Sequence, residues 1–181
     1  MITYTLDAND TLTGVGGAWD EFARENHGDG IIREYVVGKP LFRFIQGAEV
    51  VAIYKALFAK SRREQKPLSF TFRCDAPSCR RKMKFDIAPL PEQGISVQTR
   101  IIEAHKRAEV RLLDAEVPRT QGHLTMCCIC ANVKSEGGQW VAIETESTRL
   151  GLLERVAIPQ LSHSYCPECL AEQLRLLEEP A

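Results

Sequence analysis

The amino-acid sequence predicts an α+β protein in which helices cover one face of a five-stranded antiparallel sheet, followed by a small cysteine-containing module. Two observations support this prediction: the order of hydrophobic patterns along residues 2–104, and two Cys-x-x-Cys pairs in the last third of the chain. Among 181 residues, 44% are hydrophobic and 26% are charged, which is enough apolar material for a buried core. We expect three regions: residues 2–104, a connector at 105–122 and a C-terminal module at 123–181.

The first region begins with two strand patterns, at residues 2–6 and 11–15. The segment between them is Asp7-Ala-Asn-Asp, whose side chains can bond their own backbone in a turn. After Gly16-Gly17, apolar residues recur at helical spacing from Trp19 to Ala23. A hairpin followed by a short helix is therefore predicted.

A long amphipathic helix is predicted at residues 49–63, where apolar side chains recur every three or four positions. Three alternating patterns follow it, starting at Leu68, at Met83 and at Ile95, and each predicts a strand with one buried face. The helix stripe and the strand faces must meet, and we expect their largest side chains to line a pocket between them. These residues are Tyr54, Phe58, Phe70, Phe72 and Met83.

The order of two strands, helices and three strands resembles the PAS sensory domain. The Leu6-Asp-Ala-Asn-Asp turn and Gly38-Lys-Pro-Leu at the start of the helical region add to this resemblance, which covers residues 2–104. It implies signal input rather than catalysis, a pocket that holds haem, flavin, a small metabolite or nothing, and the capacity to form a homodimer.

Two cofactors of the PAS family can be compared with specific residues. The segment Arg43-Phe44-Ile45-Gln46-Gly47 looks like the motif of light-oxygen-voltage flavoproteins, in which a reactive cysteine precedes the arginine. That position is Phe42 here, which disfavours a cysteinyl-flavin adduct. The predicted long helix contains no histidine, which disfavours haem. The identity of any PAS ligand stays open.

The connector at 105–122 is charged, has no steady hydrophobic period and contains Pro118 and Gly122. Its few apolar side chains can face one of the flanking regions, so we expect it to dock rather than act as a free tether. These side chains are Val110, Leu112, Leu113 and Ala115.

The two Cys-x-x-Cys pairs are Cys127 with Cys130 and Cys166 with Cys169. Two such turns complete the tetrahedral thiolate shell that zinc prefers, so one structural Zn²⁺ is predicted, with no open position for a substrate. Cys127 is favoured over Cys128 as a ligand because one intervening residue gives a poorer bite. A redox-active dithiol is the alternative, although neither pair follows a βαβ unit.

Within the module, a strand is predicted at 140–145, and a C-terminal helix is predicted to begin near Pro167. The module resembles a zinc-ribbon-like module found at the C-terminus of bacterial PAS-containing signalling proteins. Ala131-Asn132 and Ser164-Tyr165 depart from that pattern. The matching residues are Cys127, Cys130, Gly138, Trp140, Glu144, Ser162, His163, Cys166, Pro167 and Cys169.

Several other side chains could take part in this chemistry. His163 lies three residues before Cys166 and could replace a thiolate. We favour a role in which it contacts a metal ligand rather than the metal, or a role in packing. Cys74 at the end of a strand pattern reads as a small buried hydrophobe. Whether Cys74, Cys79 or Cys128 is redox-active is left open.

The remaining composition restricts the function. Lys and Arg number 23 against 24 Asp and Glu, and from residue 123 onward there are four basic against eight acidic side chains, so nucleic acid is not the expected partner. The two basic runs, Lys60-Ser-Arg-Arg and Arg80-Arg-Lys-Met-Lys, are expected to be solvated, with phosphate or partner binding as the other reading. No nucleophile elbow, phosphate loop or His-Glu-x-x-His motif is present, so an enzyme is not expected.

The start of the sequence has neither a basic segment nor an apolar one, and no stretch suits a membrane span, so a cytoplasmic protein is expected. The sequence thus predicts a non-enzymatic bacterial sensory protein that passes its state to a protein partner through a zinc-stabilised module. The alternative is a nucleic-acid-associated regulator that uses the module and the second basic run.

Overall fold

The computed structural model describes residues 1–26 and 28–179 and contains two β-sheets. The first sheet has five strands in the order β2-β1-β5-β4-β3, and every neighbouring pair is antiparallel. This confirms the predicted five-stranded antiparallel sheet. Its strands are β1 (Ile2–Leu6), β2 (Leu12–Gly17), β3 (Leu68–Arg73), β4 (Cys79–Pro89) and β5 (Ile95–Lys106).

Among the described residues, three α-helices lie between β2 and β3: α1 (Trp19–Glu25), α2 (Arg33–Val36) and α3 (Ala48–Glu64). The stripe of α3 is buried as predicted, with Val50, Ile53, Leu57 and Phe58 in the core. Burying each such side chain favours folding by about 1.5–3 kcal/mol, so this face holds α3 on the sheet.

The two faces of the first sheet differ in chemistry. Leu68, Phe85 and Ile87 point into the core, while Ser69 and Thr71 on the opposite face of β3 are exposed. Because neighbouring residues of a strand alternate between faces, the uncovered face carries the polar side chains.

The second sheet has four strands in the order β8-β7-β6-β9, and β6 pairs with β9 in parallel. Its strands are β6 (Arg119–Cys127), β7 (Asn132–Lys134), β8 (Trp140–Ala142) and β9 (Ile158–Ser164), and its helices are α4 (Ile143–Arg149) and α5 (Pro167–Glu178). The strand predicted at 140–145 is too long: it ends at Ala142, and the chain turns directly into α4. The helix predicted from Pro167 is present.

The two ends of the segment predicted as a connector belong to strands of the two sheets. β5 continues to Lys106, and β6 begins at Arg119. Val110 and Leu112 are buried in a second hydrophobic cluster, whereas Ala115 is exposed. That cluster also contains Val117, Leu124, Val133, Ile143, Leu152 and Ile158.

The backbone of this segment is tied to the first sheet as well. The N–H groups of Arg107 and Val110 donate to the carbonyls of Ser78 and Pro77, in the turn between β3 and β4, at 3.0 and 2.9 Å. The segment therefore docks on both sides. Within the part of the chain that the structure describes, no helix is both long and apolar enough to cross a membrane.

Candidate metal centre

The four cysteines of the two Cys-x-x-Cys pairs come together because β6 and β9 are parallel. Cys127 ends β6 and lies opposite Ser164 at the end of β9, so the segments that follow the two strands leave the sheet at the same end. The segment after β6 turns through Cys130. The segment after β9 places Cys166 and Cys169 at the start of α5. The N–H of Ala131 donates to the Cys127 carbonyl at 3.0 Å and closes the first turn.

The geometry fits one tetrahedral metal ion. The sulfur atoms of Cys127, Cys130, Cys166 and Cys169 all lie within 4.8 Å of one another, and those of Cys130 and Cys166 are 3.8 Å apart. Four thiolates at Zn–S distances of about 2.3 Å around a tetrahedral ion are about 3.8 Å from each other. These cysteines could therefore hold one ion such as zinc, and Cys127 rather than Cys128 belongs to the set.

The pKa values of the four cysteine thiols shift in different directions. The Cys130 thiol hydrogen-bonds the Cys127 sulfur, and this bond lowers the pKa of Cys127 to about 5 against the opposing effect of burial. The same bond, together with burial, raises the pKa of Cys130. Burial is the main cause of the raised pKa values of Cys166 and Cys169. A metal ion must displace the remaining protons, so its affinity falls as pH decreases.

His163 lies outside this sulfur cluster. It stands on β9 opposite Met126, and its side chain lines a surface groove with Trp140 and Ser162. Burial lowers the pKa of the His163 imidazole. The structure thus places it near the module's outer surface rather than among the four sulfur atoms.

The other three cysteines are separate free thiols. Cys128 packs against the first core, and burial raises its pKa to about 12. Burial also raises the pKa of Cys74, while Cys79 starts β4 after the turn that follows β3. Raised pKa values keep Cys74 and Cys128 protonated, which lowers their reactivity.

The first Cys-x-x-Cys turn, residues 127–130, is called here the metal knuckle, and it contacts strand β3 directly. The backbone N–H of Arg73 donates to the Ile129 carbonyl at 2.7 Å, and its guanidinium donates to the Cys130 carbonyl at 3.2 Å. The end of the first sheet is therefore hydrogen-bonded to the metal-binding turn. Sequence patterns gave no sign of this contact.

An ion-pair network, here called the clamp, joins the two regions beside the metal knuckle. It consists of Arg73, Asp75, Arg107 and Glu144: Arg107 lies 2.7 Å from Glu144 and 2.9 Å from Asp75, and Arg73 bonds both carboxylates. Burial would raise the pKa of Glu144, but a backbone amide and the two guanidinium groups outweigh it and lower that pKa. Glu144 was singled out by the module resemblance, whereas its partners were not.

A second contact joins the start of α3 to β9. Ser164 and the backbone N–H of Tyr165 donate to the Glu49 carboxylate, and Tyr165 is buried in the first core. Gly47 has φ of +93°, and a Cβ atom there would lie 2.8 Å from the His163 carbonyl oxygen. Only glycine allows this approach without displacement.

The residues predicted to line a pocket are divided between two places. Tyr54 and Phe70 contact the ring of Phe85, and the Phe70 and Phe85 rings stack with centroids 4.9 Å apart, while Phe58 contacts Tyr54. Phe72 belongs to this cluster of rings too, with its ring centroid 6.4 Å from that of Phe70 and 6.1 Å from that of Phe85, and it also lines a separate cavity.

That cavity, of about 190 Å³, lies between α1 and the sheet. Its wall includes Phe72 and Met83 but not the other three predicted residues. The lining residues are Ile2, Tyr4, Trp19, Phe22, Ala23, Ile31, Phe72, Cys74, Met83 and Thr99.

Compared with protein-family models and with curated proteins, the sequence matches none. The fold and the site define the class: a mixed α and β protein with a five-stranded antiparallel sheet and a C-terminal four-cysteine cluster that could bind a metal ion.

Proposed function

We propose that this protein is a non-enzymatic sensory protein of the bacterial cytoplasm. A PAS-like domain receives a signal, and a zinc-stabilised module passes its state to a partner protein. One observation carries the proposal: consecutive residues at the end of β3 and just after it reach the cavity and the metal knuckle. Phe72 and Cys74 line the cavity, while Arg73 between them bonds Ile129 and Cys130.

The order of elements supports the PAS-like interpretation. Two strands, three helices and three strands follow one another in residues 2–106, and the helices cover one face of the sheet. Helices packed on one face leave room for a ligand between the two layers, which is where the cavity lies.

The cavity favours a small apolar ligand. Its wall carries the aromatic rings of Tyr4, Trp19, Phe22 and Phe72, with Thr99 as one of few polar neighbours. A dry apolar cavity of roughly 150 Å³ accommodates benzene. A ligand of one aromatic ring is therefore the size class we propose.

The four-cysteine cluster supports zinc as a structural ion. A set of four thiolates suits a tetrahedral d¹⁰ ion and closes its coordination shell. Zinc bound there would supply folding free energy to the module and hold the metal knuckle in the shape that β3 contacts.

The two tryptophans of the chain allow the proposal to be tested. Trp19 lines the cavity, and Trp140 stands on β8, close in sequence to Glu144 of the clamp. Benzene is titrated into the metal-loaded variants Trp140→Phe and Trp19→Phe, so that each reports on one tryptophan. Ala23→Leu, which fills the cavity, is the control.

We expect a saturable change of Trp19 fluorescence and a parallel change of Trp140, both absent in the Ala23→Leu background. A response at Trp19 alone would show that the regions are not coupled. If the fluorescence of neither tryptophan changed, the cavity would not be a ligand site.

A further inference from the structure

We propose that an acidic polypeptide segment of the partner protein binds in a basic groove between the outer face of the first sheet and the metal knuckle. This inference deepens the proposed function, on which it rests for the existence of a partner, by naming the chemistry of that partner. The basic groove is a concave surface of about 760 Å³. Its cationic side chains are Arg73, Arg80, Lys82, Lys106 and Arg107, with His105 beside them.

The groove is built by a part of the sheet that extends beyond the core. β4 begins at Cys79 and β5 continues to Lys106, and side chains 100–106 of β5 are all exposed. Arg80 pairs with His105, and Lys82 pairs with Glu103, across the two strands. Residues directly opposite each other share a face, so these side chains stand together on the hairpin.

The opposite wall belongs to the C-terminal module. Ile129, Cys130 and Asn132 line it, with Glu144 of the clamp. The wall is fixed to the sheet by the bonds from Arg73, so the groove keeps its width while the metal knuckle keeps its shape.

The cations of the groove fall into two sets. Arg73 and Arg107 are neutralised by Asp75 and Glu144 in the clamp and serve as the floor. Arg80 and Lys106, by contrast, have no carboxylate partner among residues 1–26 and 28–179.

Among the described residues Lys82 forms one ion pair, at 3.7 Å with Glu103, which also lines the groove, and both side chains are about half exposed. Cations clustered on adjacent strands repel one another, and this repulsion decreases when an anion lies among them. The hairpin thus carries unpaired positive charge aimed at a concave surface.

The surroundings favour a short acidic polypeptide over other anions. A single phosphate would fill a small part of a 760 Å³ groove. A long polyanion such as nucleic acid would extend past Ile129 into the next depression, where Glu172 and Glu179 outnumber the one cation, Arg175. A segment with two or three carboxylates matches Arg80, Lys82 and Lys106 without reaching those acids.

The test is a binding titration with metal-loaded full-length protein at low and high salt. The probes are a short fluorescent peptide of alternating Glu and Ser residues and an oligothymidylate of the same length. The variants are Arg80→Glu and Lys106→Glu, both exposed, and the control is Arg100→Glu, which has the same charge change on β5 but does not line the groove. Thermal unfolding of each variant confirms that it is folded.

We expect the peptide to bind at low salt, and each groove variant to weaken binding at least about tenfold, equivalent to about 1.4 kcal/mol. Arg100→Glu should change the affinity less than about twofold. Equal weakening by Arg100→Glu, absence of peptide binding, or tighter binding of the oligothymidylate would overturn the inference. Neither tryptophan lines the groove, and the benzene titration contains no peptide, so its failure and the failure of this test are distinguishable.

Discussion

The two sheets of this protein are stabilised in different ways. The first has five antiparallel strands and a long helix, and among the described residues sixteen buried side chains form its core cluster. The second contains two strands of three residues, a parallel pair far apart in sequence, and a cluster of eight buried side chains. A core that small gives little stability by itself, so we expect a metal ion bound by the four-cysteine cluster to supply much of the stability of the second sheet.

The largest expected effect lies in the metal site. Cys169→Ser or Cys127→Ser should release the metal and unfold residues 119–179, because apparent zinc-binding free energies for such sites are about 10–16 kcal/mol. Elemental analysis measures the metal content, and circular dichroism measures the loss of secondary structure. Cys128→Ser is the matched control, since its sulfur lies outside the cluster, and it should retain one ion per chain. If the Cys127→Ser variant kept its metal, the second sheet would need another source of stability.

The next effect concerns the first sheet. Phe58 is fully buried, and Phe58→Ala should cost about 3–5 kcal/mol of the free energy of unfolding while the metal content stays unchanged. Chemical denaturation with metal analysis tests this. Tyr35→Ala, at a side chain that is 54% exposed, should change stability by less than about 0.5 kcal/mol. Loss of metal from the Phe58→Ala protein would show that the two sheets do not differ as described.

A smaller effect tests the contact between the regions. Gly47→Ala should destabilise the protein by about 1–3 kcal/mol, because both the positive φ and the His163 carbonyl oppose a Cβ atom. Gly38 also has a positive φ, of +81°, but a Cβ there meets nothing within 4 Å. Gly38→Ala should therefore cost only the backbone strain, and thermal unfolding of both variants isolates the close approach. Equal destabilisation by Gly47→Ala and Gly38→Ala would mean that the His163 carbonyl moves away from the new Cβ atom at no measurable cost.

The smallest effect is that of the clamp. Because the pKa of Glu144 is lowered in the folded state, its contribution is present above the unfolded pKa of about 4.3 and is lost as pH falls through the folded value. Glu144→Gln should lower stability by about 1 kcal/mol at neutral pH, since Glu144 is partly exposed and solvent screens it. The difference from the parent should vanish in acid. A constant difference across the acid range would exclude a charge effect.

Much of the first sheet could be predicted from the sequence because its signals are local. The α3 stripe at Val50, Ile53 and Leu57 and the alternation along β4 each lie within one element. The choice of Cys127 over Cys128 was likewise a matter of spacing within four residues. These predictions needed no knowledge of distant partners.

What could not be predicted depends on pairing between distant segments. Nothing local shows that β6 pairs with β9 in parallel, or that Arg73 bonds Ile129. A hydrophobic stripe identifies the buried face but not the position of a cavity along it: Phe70 and Phe72 both contact Phe85, yet only Phe72 lines the cavity. Residues 143–145 were predicted as strand from their side chains, yet the chain there begins α4.

The position of the metal knuckle beside β3 also has a consequence for solubility. β3 is one of the two edge strands of the first sheet, and exposed edges are templates for pairing with other chains. At one end of that edge the Ile129 carbonyl accepts a hydrogen bond from the backbone N–H of Arg73. Helix α5 lies across a depression from Ser69 and Thr71. A chain that loses its metal would uncover this edge while its first sheet remains folded. Such molecules can join edge to edge, so metal depletion should promote aggregation at temperatures well below unfolding of the first sheet.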